Sequence, residues 1–101
     1  MDALTNGDRI AVVGTLAGDP EIRYDRAGIA HGRFDLTEGD YSTAVHTSAD
    51  LAENVALSLT RGMAVVVIGR EDDGIIAEHV GPSLAGATVD VFRISRRTLA
   101  D

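Results

Sequence analysis

The chemistry open to this chain is set by its cations and its rings. All nine basic residues are arginine, set against sixteen acids, for a formal net charge of -7. The aromatics are Tyr24, Phe34, Tyr41 and Phe92. Exposed arginines can hold phosphates, and exposed rings can stack on bases. Arg33 precedes Phe34 in an extended run, so the two point to opposite faces of a strand. With Phe34 in the core, Arg33 faces out and can meet a phosphate. Tyr41 is the aromatic beside a short polar loop, where a base could stack. Arg9, Arg70 and Arg93 fall in strand-like runs and read as rim residues. His31, His46 and His79 have no metal-ligand spacing and no cysteine nearby, so they read as surface or satisfied core groups. Glu71-Asp72-Asp73 reads as a solvated hairpin tip rather than a cation site. Neither a nucleophile elbow nor a phosphate-binding Gly-Lys-Ser/Thr is present, so the chain is not expected to be an enzyme or to carry a cofactor or metal.

Composition narrows the classes further. A chain of 101 residues, 45% hydrophobic and 25% charged, fits one globular domain over residues 1–101, with 96–101 a short flexible end. The absence of cysteine excludes a disulfide framework, a zinc knuckle and a thiol nucleophile, and fits the cytoplasm. The longest apolar run, Met63 to Ile68, is strand-length and far short of a membrane span. Met1-Asp2-Ala3-Leu4 has neither the basic region nor the apolar core of a secretion signal. The acidic balance argues mildly against nucleic acid, although a local arginine patch can override an average field.

These residues must be positioned mainly by strands. Arg9 to Leu16 reads as a strand with a bend allowed at Gly14, and Asp19-Pro20 marks a kink before Glu21 to Tyr24 continues it. Ile29 to Leu36 runs extended, with Ala30, Gly32, Phe34 and Leu36 on one face. Tyr41 to His46 is a weaker strand, after a loop at Thr37 to Asp40. Asp50 offers an acidic N-cap to a helix over about Leu51 to Arg61, with Leu51, Val55 and Leu59 as its apolar stripe and Gly62 as its stop. Met63 to Arg70 is a β-branched run consistent with burial on both faces. Asp73-Gly74 turns it back into Ile75 to Val80. Thr88 to Ser95 is a last strand. Three strands, a helix and then further strands is the order of the OB-fold, a five-stranded Greek-key barrel with a helix between strands three and four.

Three stretches carry a family resemblance. Val12-Val13-Gly14-Thr15-Leu16-Ala17-Gly18-Asp19-Pro20-Glu21-Ile22-Arg23-Tyr24 resembles the opening of bacterial single-stranded DNA-binding proteins. Ala52-Glu53-Asn54-Val55 through Leu59-Thr60-Arg61-Gly62-Met63 is similar to their helix and fourth-strand entry, and Val80-Gly81-Pro82-Ser83-Leu84 to a late segment. The arginine-only, alanine-rich composition is similar to that of actinobacterial members.

The resemblance implies an OB-fold that forms dimers or tetramers and binds single-stranded DNA in replication, recombination or repair. It implies nucleic-acid contacts at Arg23, Tyr24 and Arg61, to which Arg33 and Tyr41 add from the residue reading. It also exposes departures. The family's groove aromatics fall at Ser48 and near Ser42, a strand-three arginine near Ala44, and a basic helix-start position at Asp50. Both long hairpins are shortened, one to the acidic Glu71-Asp72-Asp73-Gly74, and no acidic-tipped tail is expected. The alternative is therefore an adaptor that has lost its DNA groove and either oligomerises or binds another single-stranded DNA-binding protein or a replication protein.

Overall fold

Alternating apolar residues leave each strand with one face that has to leave water, and this chain buries those faces by closing its sheet on itself. The computed structural model describes residues 9–85. The elements are β1 (Arg9–Leu16), β2 (Glu21–Tyr24), β3 (Ala30–Glu38), β4 (Tyr41–Ser48), α1 (Ala49–Ser58), β5 (Ala64–Glu71) and β6 (Ile75–Pro82). β1 and β2 are the halves of one bent strand, separated at the Asp19-Pro20 kink, where proline has no N–H to offer a ladder.

The sheet order is β1-β5-β6-β4-β3-β2, and β3 returns to β1 through Thr15↔Thr37 and Leu16↔Leu36. All pairings are antiparallel except β4 with β6. With β1 and β2 counted as one strand, this is the five-stranded closed barrel of the OB-fold. Gly14 permits the closure: a Cβ there would lie 2.9 Å from the Thr37 carbonyl oxygen and 3.3 Å from the Leu36 Cβ. The interior is filled by Leu16, Phe34, Leu36, Val45, Val65, Val67, Ile75 and Ala77, with Val55 and Leu59 entering from the helical segment.

The helix follows the expected stripe but not the expected ends. It spans Ala49–Ser58 rather than Leu51 to Arg61. Ser48 is its N-cap and is still extended, paired with His31, and its side chain makes no capping bond. β4 thus runs straight into the helix, and Ala49, at φ 56, turns the chain. Asp50 sits within the first turn instead of capping it. At the other end, Leu59 leaves helical geometry to bury its side chain, and the Gly62 amide donates to the Leu16 carbonyl.

Two strand expectations change as well. β5 is buried on one face only, with Val65 and Val67 inside and Val66 and Ile68 half-buried outside. The β3–β4 connection is tighter than expected, because Glu38 and Tyr41 already pair. The strand expected over Thr88 to Ser95, Arg93 within it, and the end at 96–101 lie outside the described residues.

Candidate nucleic-acid interface

Burial fixes which side chains line the outside of the sheet. Ala30, Phe34 and Leu36 of β3 and Val45 and Thr47 of β4 point inward. Their neighbours, residues 31, 33, 35 and 37 of β3 and 42, 44, 46 and 48 of β4, therefore point outward. Register then assembles a surface. One rung reads Arg23, His31, Ser48 across β2, β3 and β4, and the next reads Glu21, Arg33, His46. Asp35 opposite Ala44 and Thr37 opposite Ser42 continue the face.

Two adjoining depressions run along it. One, of about 320 Å³, is lined by Arg23, His31, Arg33, His46, Glu21 and the backbone between them. The other, of about 390 Å³, opens where β2 leaves β1, beside Asp19, Glu21, Arg33 and Asp35. Both are mixed in charge. The Arg33 Nη2 donates to Asp35 Oδ1 at 3.2 Å. His31 Nε2 lies 2.9 Å from Asp25 Oδ2, and the Ala27 and Ile29 amides donate to Asp25 Oδ1 at 2.9 and 3.0 Å. The hydrogen bond from His31, followed by that from the Ile29 amide, holds the Asp25 carboxyl below its ordinary range.

Arg23 and Arg33 therefore share one face. Arg61 stands beside it: its backbone amide donates to Asp19 Oδ1 at 2.8 Å, and Asp19 lines the second depression. Neither Arg23 nor Arg61 has an ion pair with another described residue. Arg9 and Arg70 share Glu78 on the opposite wall, at 2.8 and 3.6 Å.

The two tyrosines lie off this face. Tyr24 alternates away from Arg23, and its hydroxyl donates to Glu53 Oε2 of α1 at 3.1 Å. That hydrogen bond and the Glu53 charge raise the phenol above its ordinary pKa. Tyr41 starts β4 opposite Glu38, on the inward alternation but beyond the core, and is 80% exposed.

His31 and His46 are the residues that sequence reasoning passed over. Their alternation with buried Phe34 and Val45 carried part of the signal, but only the cross-strand register sets them around Arg33. The outward residues of β4 are otherwise small, namely Ser42, Ala44 and Ser48. The acidic tip Glu71-Asp72-Asp73 abuts the far end of the face, since a Cβ on Gly74 would lie 2.8 Å from the Ala44 carbonyl oxygen. Among the described residues no three His, Cys, Asp or Glu side chains converge to hold a metal, and no helix is long and apolar enough to cross a membrane.

A closed OB barrel with Arg23 and Arg33 on the outer face of β2 and β3 has the architecture whose sheet face, in other OB-folds, binds oligonucleotides or oligosaccharides. Comparison with known proteins gives the family. No family model matches the chain. The single-stranded DNA-binding protein of Mycolicibacterium smegmatis is 33% identical, over 86% of this chain and 70% of its own length. That of Corynebacterium glutamicum is also 33% identical over 86% of this chain, which spans about half (52%) of the relative. The wild-type single-stranded DNA-binding protein of Thermus aquaticus superposes with a TM-score of 0.69 at 26% identity, covering 83% of this chain and 44% of that one. The chain belongs to the single-stranded DNA-binding protein family. The 116-position alignment with the Mycolicibacterium relative covers 86% of the 101 residues here, so the relative carries insertions within the matched span.

Proposed function

We propose that this chain binds single-stranded DNA along the outer face of β2, β3 and β4, in replication, recombination or repair. The observation that supports this most directly is the register that sets Arg23 and Arg33 on one face of an OB barrel, with Arg61 at its side. These three arginines contact phosphates, and Tyr41, off this face at the β3–β4 turn and exposed, is placed to stack only a base that overhangs the strand ends. With no tyrosine, phenylalanine or tryptophan on the outward positions of β3 and β4, affinity rests on charge more than on stacking. Binding is therefore weakly selective for sequence and strongly dependent on salt.

We propose that the chain also self-associates. The outer face of β1, β5 and β6 brings Val13, half exposed, beside Val66, and Ala11 beside Ile68. A second copy covering this apolar strip would take it out of water. Light scattering at micromolar concentration reads the stoichiometry, and a monomer would refute this part of the proposal.

The DNA reading is tested by titrating a labelled dT oligonucleotide at low and moderate salt. Submicromolar binding that weakens steeply with salt supports it. Absence of binding at low salt, where charge acts most strongly, overturns it.

A further inference from the structure

His31 and His46 are not among the proposed DNA contacts, yet they flank Arg33, the central cation of the face. His46 stands in the same rung as Arg33 and Glu21, and His31 stands in the neighbouring rung beside Arg23. Side chains directly opposite in such rungs have Cβ atoms about 4.5–5.5 Å apart. All four line the depression of about 320 Å³, where His46 is half-buried and His31 exposed. A phosphate entering that depression meets both imidazoles together with both guanidinium groups.

The charge on this face depends on those rings. Glu21 and Asp35 offset Arg23 and Arg33, and Asp25 faces His31 from the β2–β3 turn. On the other flank of His46, β6 presents Ile76 in register, with Arg70 opposite Ile76 and Glu78 already bridging Arg9 and Arg70. Behind the barrel end, α1 contributes Asp50 and Glu53, the latter hydrogen-bonded to Tyr24. With neutral histidines, Arg23, Arg33 and Arg26 of the β2–β3 turn are matched by Glu21, Asp35 and Asp25, so the guanidinium groups act on a phosphate locally rather than through a net positive field. Each protonated ring adds a cation at the position where a phosphate would sit.

Resting on the proposed DNA reading, we infer that His31 and His46 are phosphate-contacting residues of this face and that binding of single-stranded DNA is coupled to their protonation. Imidazole is the ordinary side chain that gains its charge between about pH 8 and about pH 5. Carboxylates of ordinary pKa titrate below that window. Binding therefore tightens as pH falls through it. By reciprocity, bound DNA raises the protonation midpoint of both rings.

The test is titration of a dT oligonucleotide at about pH 8 and about pH 5.5, a window in which histidine titrates, with wild type and with the double variant His31→Gln, His46→Gln. Thymine takes up no proton in this range, so any linkage belongs to the protein. Wild type should bind roughly tenfold tighter at the lower pH, with a salt slope steeper by about one, and the double variant should lose this response. NMR of the histidine ring protons supplies a second readout, in which added oligonucleotide moves both titration midpoints upward. A wild-type affinity that ignores pH while binding persists overturns this inference and leaves the DNA reading standing. A full pH response in the double variant overturns it as well. No binding at either pH overturns both.

Discussion

Arg33 sits where two independent constraints agree. Alternation with buried Phe34 turns it outward, and the β2–β3–β4 register centres it on the proposed DNA face. Arg33→Ala should weaken oligonucleotide binding roughly tenfold and lower the salt slope by about 0.7 to one, read by fluorescence titration. The orientation of Arg33 was legible from Phe34 alone. The significance of His46 was not, because which β4 residue lies opposite Arg33 depends on the length of the hairpin between them. The motif puts Tyr24 among the expected DNA contacts, while the bond from its hydroxyl to Glu53 on α1, 29 residues away, is a contact that local pattern does not encode. Asp25 yields a pH prediction. Its folded pKa is lowered, so its contribution to stability is present above the unfolded value near ~3.9 and is lost as pH falls below it. Asp25→Asn should thus lower the Tm near neutrality, and the gap to wild type should close below about pH 4.

Thr47 and Gly32 show how tightly the helix is set on the barrel. They pair across β3 and β4, and a Cβ on Gly32 would press on Thr47 Oγ1 and lie 3.3 Å from the Ala52 Cβ of α1. Gly32→Ala should cost about 1–3 kcal/mol, a drop in Tm of roughly 5–15 °C by calorimetry. Thr47 is 5% exposed, and its hydroxyl has no hydrogen-bond partner among the described residues. Thr47→Val should therefore stabilise the fold by about 1 kcal/mol. The element types and their order were legible in the sequence, because period-two alternation and the Leu51-Val55-Leu59 stripe are local signals. The helix ends were not. Asp50 looked like a cap, but β4 keeps its pairing through Ser48, and Leu59 leaves the helix to reach the core. Burial of β5 on both faces was a reading of composition, which a barrel with one interior does not require.

At the scale of the whole molecule, the net charge of -7 opposes DNA, and its arrangement decides the outcome. Arg23 and Arg33 share a face with an acidic hairpin at its far end. The variant Glu71→Gln with Asp72→Asn should raise affinity roughly three- to tenfold at low salt, with the gain shrinking as salt screens the repulsion. The barrel class was readable from element order, whereas the face was not, because closure and register are long-range. The most direct test of the account maps the binding surface. In ¹⁵N-labelled protein titrated with a dT oligonucleotide, amide shifts should concentrate at Arg23, at 31–35 and at 44–48. Shifts confined to β1, β5 and β6, or none at saturating oligonucleotide, would contradict it.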